Sequence, residues 1–362
     1  MTNSPEPPVR FAVVGLNHSH IYMQVECMQT AGGHLVAYYS AEDDLAASFG
    51  KAFPEARRVS ELSAILEDPS VRLVLTAAVP SERAGIALRA MRHGKDVMTD
   101  KPGATTLDQL AELRRVQAET GRIFSVYYEG RLENRATTLA CNLVSQGAIG
   151  RFVHLTSLAP HAIRREDRPA WFFQPQLSGG ILADLATHSC DQFLLLAGTL
   201  DVEVAFAREA NWANEAIRAF TDFGEMCLSG PDCSAYFRLD WLSPPGLPVY
   251  GDGRMFIVGT EGSIEVRECI DLGRDTSEAV FLVDRSGVHR MKHSGTELPY
   301  GRQLVADILE RTETAMSQAH CFKATELALQ AESKARQFDD ETPRARRNVA
   351  AAVFNTAQSD HT

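Results

Sequence analysis

The chain is expected to fold as an α/β protein: a doubly wound parallel sheet in the N-terminal part, then an α+β part with an open, mostly antiparallel sheet. Three observations lead there. Between residues 10 and 128, short apolar runs alternate with helix-like stretches at the spacing of a repeated βαβ unit. Beyond residue 129 the rhythm changes to a few helices and several β-rich runs divided by Gly, Pro and Asp. The length, 362 residues, suits about two domains, each large enough to bury its own core.

In order, strands are expected at residues 11–14, 35–39, 71–77, 97–99 and 123–127. Their continuous apolar character suits burial on both faces by the connecting helices. Those helices carry start and stop residues: Ser60 before residues 61–68, Ser81 before 82–93 with Gly94 after, and Thr106 before 107–120 with Gly121 after. The second part offers a helix at 136–145, a strand at 152–158 and a helix at 181–197. Strands follow at 202–207, 216–223, 234–239, 255–258 and 263–266, and two last helices at 303–317 and 322–337. The expected division is 1–128, 129–338 and a polar, frayed tail at 339–362.

Composition narrows the function. Apolar residues are 44% and charged residues 23%, which excludes collagen-like, disordered and coiled-coil classes. A net charge of −11 without a basic run argues against nucleic acid as a partner. No basic cluster leads into an apolar segment at the start, and no apolar run approaches membrane-spanning length. A soluble, cytoplasmic protein with no membrane partner is therefore expected. The cysteines at 27, 141, 190, 227, 233, 269 and 321 are odd in number and include no Cys-x-x-Cys, so reduced structural thiols are expected rather than disulfides or a thiolate zinc site.

The first strand runs into Gly15-Leu16-Asn17-His18-Ser19-His20. A dinucleotide-binding turn places Gly-x-Gly-x-x-Gly here, and only Gly15 matches. Asn17 tolerates the left-handed backbone of a tight turn, whereas His20 brings bulk to a position of close helix packing. Two readings follow: His18 or His20 donates to a cofactor pyrophosphate at the helix N-terminus, or the turn binds a dinucleotide weakly or not at all. As metal ligands the two histidines lack further donors in this stretch, so no metal is expected. The second strand ends at Tyr39-Ser40, without a carboxylate in that place but with Glu42, Asp43 and Asp44 close behind, which leaves NAD against NADP open.

Two motifs carry the chemistry. Asp100-Lys101-Pro102 follows the fifth strand, at the sheet end where doubly wound folds bind ligands. Gly179-Gly180-x-x-x-Asp184-x-x-x-His188-x-x-Asp191 opens a helix, and its four-residue spacing puts Asp184 and His188 on one face. The double Gly lets another group approach the backbone. Hydride removal from an alcohol requires loss of the hydroxyl proton, which suits His188 as general base near neutral pH. An ammonium steadies charge on the same oxygen, which suits Lys101. Asp184 is the group expected to orient His188 or the substrate.

With these motifs, the Gly94-Lys95-Asp96-Val97 approach and the late Gly259-Thr260-Glu261-Gly262 turn, the chain resembles the glucose-fructose oxidoreductase, inositol dehydrogenase and rhizopine-catabolism (Gfo/Idh/MocA) oxidoreductases over residues 9–337. The resemblance implies a Rossmann domain, an α+β substrate domain, and NAD or NADP between them. Lys101 matches the family's catalytic lysine in Glu-Lys-Pro, and Asp184 and His188 match its acid and base. Departures are Asp100 for Glu, Asn17 and His20 for glycines, and Ser81-Glu82-Arg83 where many members carry Asn or His. The implied cofactor contacts are Gly15, Asn17, His18, His20, Ser40, Asp100, Lys101 and Pro102, and the implied substrates are sugars, cyclitols or their derivatives.

Candidate substrate contacts beyond Asp184 and His188 are His161 and Trp171, in a stretch mixing donors with aromatics, and Tyr128 at the join between domains. Glu129 and Arg131 share that join, where hinge packing is the competing reading. His320 and Cys321 are sequence neighbours that point apart on a helix, so Cys321 is assigned to the core. The expected activity is hydride transfer between nicotinamide and a hydroxyl or ketone carbon of a sugar-like substrate. The alternatives are a cofactor-assisted lyase or glycosidase with transient oxidation, and a non-catalytic sensor on the same fold. An open sheet face predicts a homodimer or homotetramer.

Overall fold

The computed structural model describes residues 9–274 and 277–337; the tail expected at 339–362 lies outside them. The first part runs β1 (Arg10–Val14), α1 (His20–Thr30), β2 (His34–Tyr39), α2 (Asp43–Ala52), β3 (Arg57–Arg58), α3 (Ser63–Leu66), β4 (Leu73–Thr76), α4 (Pro80–Arg92), β5 (Asp96–Asp100), α5 (Leu107–Thr120) and β6 (Phe124–Tyr127). Its six strands are ordered β3-β2-β1-β4-β5-β6, all parallel. Strand order reverses between β1 and β4, which opens a crevice at their carboxyl ends. Every residue of β4, β5 and β6 is buried, as both-face coverage requires.

The second part contains α6 (Glu129–Leu132), α7 (Arg135–Ser145), β7 (Phe152–Pro160), α8 (Pro175–Ser178), α9 (Ile181–Ala197), β8 (Glu203–Ala210), β9 (Phe223–Ser229) and β10 (Ser234–Asp240). It continues through β11 (Arg254–Gly259), β12 (Ser263–Arg267), β13 (Ala279–Asp284), β14 (Gly287–Met291), α10 (Tyr300–Glu310), α11 (Gln318–Lys334) and β15 (Arg336–Gln337). Its nine strands form one sheet, β14-β13-β12-β11-β7-β10-β9-β8-β15, antiparallel except for β10 with β7 and β15 with β8. Helices cover one face. On the other, the register brings Val258, Ser263, Val283 and Val288 into one row and Phe256, Glu265, Phe281 and Arg290 into the next. Phe256, Val258, Val283 and Val288 of these rows are exposed.

Several boundaries differ from expectation for local reasons. Residues 216–222 are a loop rather than the start of a strand, because the Asp222 carboxylate accepts from the Trp212 and Ala213 N–H groups and from Asn214 Nδ2. The helix expected to reach 317 stops at Glu310: Arg311 turns left-handed, and the Asp307 carboxylate gathers Thr312, Thr314 and Ala315. The last helix starts at Gln318, with Ser317 accepting from the His320 N–H. Ser81 lies inside α4, which begins at Pro80, and is not its cap. Among the described residues, no helix is long and apolar enough to cross a membrane.

Candidate active site

The β1–α1 turn is held by Gly15 at φ +82, where an added Cβ would stand 2.4 Å from the Ala78 Cβ. Gly15 N–H donates to Tyr39 O and His18 N–H to Ala77 O, which ties the turn to β2 and to the end of β4. Asn17 sends its amide nitrogen to Glu42 Oε1 at 2.9 Å, and Ser40 donates to Glu42 Oε2 at 2.8 Å. A carboxylate therefore does stand beside the end of β2, brought back by the chain from two residues beyond Ser40. Burial pushes the Glu42 carboxyl up, but the bonds from Asn17 and Ser40 prevail and hold it low.

His20 does not crowd the helix packing. Its ring turns to the end of β5, with Nδ1 2.9 Å from Asp100 Oδ1, while His18 Nδ1 lies 3.4 Å from Asp100 Oδ2. Burial lowers the His18 pKa to about 3, aided by His20, so this ring is neutral. Burial also opposes charge on His20, yet Glu129 and Asp100 outweigh it and raise its pKa. His18, His20 and Asp100 offer ligand atoms within 4.8 Å of one another. The third donor that the turn lacked in sequence is thus supplied by β5, but Asp100 is already matched by cations: fully buried Arg83 places its Nη2 3.0 Å from Asp100 Oδ2.

Arg83 also donates to Ala78 O, Lys101 O and Pro102 O, and so fixes the Asp100-Lys101-Pro102 turn, whose Lys101–Pro102 bond is cis. Lys101 Nζ donates to Asp184 Oδ1 at 2.8 Å. Burial disfavours the ammonium, but Asp184, Glu129 and Asp100 prevail and raise its pKa, so Lys101 stays charged.

Asp184 and His188 are placed by α9, whose start explains the double Gly. Gly180, at φ +92, leaves room for the Glu332 carboxylate of α11, which an added Cβ would meet at 1.8 Å. Glu332 Oε2 accepts from the N–H groups of Leu182 and Ala183 at 2.9 and 3.1 Å. A carboxyl group from a distant helix thus satisfies two free N–H groups at the start of the helix that carries Asp184 and His188.

The expected pairing of Asp184 with His188 is not observed. Asp184 serves Lys101, and His188 Nε2 instead lies 3.2 Å from Glu129 Oε1. Glu129 begins α6 and is also 3.7 Å from His20 Nε2. Deeper in α6–α9, Arg131 binds Asp191 through both carboxylate oxygens at 2.7 and 2.6 Å, and His320 reaches the same group at 2.8 Å.

A cavity of about 320 Å³ is lined by His18, His20, Lys101, Asp184, His161 and Trp171 among others. An adjoining cavity of about 280 Å³ is lined by His188, and Glu129, His161 and Tyr250 face both. His161 donates Nδ1 to Ala159 O, and burial lowers its pKa to about 4, so its neutral Nε2 is an acceptor. Tyr128 is not a substrate contact: it is fully buried, with its hydroxyl on Cys321 O and Thr325. Cys321 is core, as expected. Sequence reading gave no role to Arg83 and left Glu129 undecided. Their signals were a charge one turn into a helix after Pro80, and an acid directly after the last parallel strand.

The turn suits a dinucleotide. Gly15 provides the close approach, among the described residues no hydrogen bond uses the N–H of Asn17 or Ser19, and α1 points its N-terminus at the crevice. Comparison with known proteins agrees. Residues 9–128 match the oxidoreductase family with an NAD-binding Rossmann fold, and residues 138–265 match the GFO/IDH/MocA C-terminal domain. Over 91% of this chain and 99% of the other, the protein is 40% identical to an oxidoreductase structure from Erwinia carotovora atroseptica SCRI1043, with a TM-score of 0.89. It is 30% identical over 177 residues to a scyllo-inositol 2-dehydrogenase (NADP(+)) of Bacillus subtilis, covering 48% of this chain and 49% of that one. It is 29% identical over 161 residues to the levoglucosan dehydrogenase of Pseudarthrobacter phenanthrenivorans, covering 44% and 41%. The chain spans less than half the length of these two curated relatives. On both of its parts, the chain belongs to the Gfo/Idh/MocA family of oxidoreductases.

Proposed function

We propose that the protein transfers a hydride between NAD(P) and a hydroxyl or ketone carbon of a sugar, cyclitol or related polyol. The observation that carries this reading is the Lys101–Asp184 pair at 2.8 Å, which joins the end of β5 to the start of α9 in the same cavity as the β1–α1 turn. When bound, the nicotinamide accepts or supplies the hydride. Asn17 and Ser19 N–H groups and the raised-pKa His20 hold the pyrophosphate, and Glu42 accepts from ribose hydroxyls, which favours NAD over NADP.

Lys101, kept cationic and oriented by Asp184, steadies negative charge on the substrate oxygen. His188 takes the hydroxyl proton, held by Glu129, which borders both cavities. Titration with NADH and NADPH, followed by energy transfer from tryptophan and then hydride exchange on a panel of polyols and ketoses, tests the reading. Saturable binding with exchange supports it. Turnover without net change in nicotinamide absorbance replaces it with transient oxidation, and binding without exchange replaces it with a sensor.

We also infer that the open sheet face, with exposed Phe256, Val258, Val283 and Val288, is covered by a second copy of this chain. A monomer mass in solution across a range of concentrations overturns that.

A further inference from the structure

The cations of the Lys101 cavity fall into two groups. Arg83 is matched by Asp100 at 3.0 Å and Lys101 by Asp184 at 2.8 Å. Arg164 and Arg168 line the same cavity and, among the described residues, have no carboxylate within 4.0 Å. Arg168 is only partly exposed. Its guanidinium lies over the rings of Phe172, Trp241 and Tyr250 at 4.4, 5.1 and 5.6 Å from their centroids. Nε donates to Ile163 O at 3.0 Å, and Nη2 donates to the Tyr250 hydroxyl. Arg164 stands over the other part of this wall, 5.3 Å from the Tyr250 centroid, on a backbone held at φ +44.

Two features argue against a merely solvated charge run. A guanidinium pressed on three aromatic rings loses much of its hydration; burial disfavours its charge, Asp184 and Asp167 favour it from beyond ion-pair distance, and an arriving anion adds a direct partner. A left-handed backbone at a non-Gly residue is also costly and persists where the surroundings impose it. The planar guanidinium forks match the oxygens of a carboxylate or phosphoryl group. Arg164, exposed at the rim, and half-buried Arg168 line the cavity, whereas their neighbours Arg165, Glu166 and Asp167 do not, so the selection of these two is made by the fold.

We propose that the substrate carries an anionic group, a carboxylate or a phosphoryl, which Arg164 and Arg168 bind while Lys101 and Asp184 face the reacting carbon. This inference rests on the dehydrogenase reading for the identity of the cavity, and it narrows the substrate class to polyol acids or polyol phosphates. Neutral His161 lines the same cavity, with Nε2 free of the Ala159 bond to accept from a substrate hydroxyl.

The test is calorimetric binding of glucose, gluconate, glucuronate and glucose 6-phosphate to the full chain, alone and saturated with NADH. The expected result is at least tenfold tighter binding of one anionic class than of glucose, weakened by added salt. That advantage is expected to be lost in Arg168→Gln and reduced in Arg164→Gln, with partial recovery in Arg168→Lys. Gluconate and glucuronate against glucose 6-phosphate separate the two sources of charge. Thermal melts check that the variants fold, and the rim position of Arg164 supplies a second variant should Arg168→Gln fail to. The absence of any charge preference, including no binding of the whole panel, overturns the proposal, as does an advantage that survives both Gln variants. So does weakened NADH binding in those variants with sugar binding unchanged. Anion binding without hydride exchange would instead sink the dehydrogenase reading and leave the anion site standing.

Discussion

Glu129 Oε1 lies 3.2 Å from His188 Nε2 and 3.7 Å from His20 Nε2, so one carboxylate links the imidazole of α9 to the imidazole that follows the β1–α1 turn. Burial opposes ionisation of Glu129, but His188 and His20 prevail and hold its carboxyl low. Glu129→Gln keeps the shape and removes the charge. It is expected to reduce kcat by roughly tenfold to a hundredfold, below the ~10²- to 10⁴-fold expected for His188→Ala, and to alter the pH profile of kcat. Unchanged kcat and profile in Glu129→Gln would reduce this residue to packing.

Lys101 and Asp184 form a largely buried pair, with side chains 7% and 18% exposed. Lys101→Ala leaves a largely buried carboxylate without its ion-pair partner, and breaking such a pair costs about 3 kcal/mol. The variant is expected to lose on the order of 10²-fold or more in kcat and to melt at lower temperature. Lys101→Ala, Asp184→Asn, with no charge left to strand, is expected to regain melting temperature but no activity. Recovery of both together would contradict the assigned role.

Glu42 is held by Asn17 and Ser40 at 2.9 and 2.8 Å beside the end of β2. A fixed carboxylate repels a 2′-phosphate and accepts from a free ribose hydroxyl. NADH is therefore expected to bind roughly tenfold or more tightly than NADPH. Glu42→Gln is expected to narrow the gap mainly through tighter NADPH binding. Equal dissociation constants in the unaltered protein would show that Glu42 does not meet the ribose.

Glu332 is pushed above its usual 4.5 by burial and by Glu209, against the pull of the Ala183 and Leu182 N–H groups. The unfolded chain ionises near the usual value, whereas the native carboxyl keeps its proton to higher pH. Native stability contributed at this site is thus lost as pH rises from about 4.5 through the raised native value. Denaturant midpoints of Glu332→Gln are expected to fall less over that interval than those of the unaltered chain. An identical slope would place the ionisation elsewhere.

Periodicity alone made the parallel half legible, because strands buried on both faces are continuous apolar runs and their helices carry Thr106 and Gly121 as visible ends. The helix 181–197 was legible to the residue for the same reason, with Gly180 before it and Gly198 after. Strand β14 went unread because Gly287–Met291 at the margin of the open sheet mixes polar with apolar residues, whereas β13 carries a plain apolar run over residues 279–283 that the sequence reading passed over.

At the candidate site, three residues were legible from sequence alone: Lys101 after a strand, and Asp184 and His188 one turn apart on a helix. The partners were decided only by the tertiary structure. Spacing suggested Asp184 for His188, yet the approach of β5 to α9 gives Asp184 to Lys101, and α6 brings Glu129 to His188. Spacing also left the double Gly without an occupant until α11 delivered Glu332, and left Asn17 and His20 as deviations until Glu42 and Asp100 met them. The physical reason is common to all of these. Local pattern reports how a residue sits on its own element, whereas a buried charge or polar group must find its partner wherever the packing of distant elements puts one.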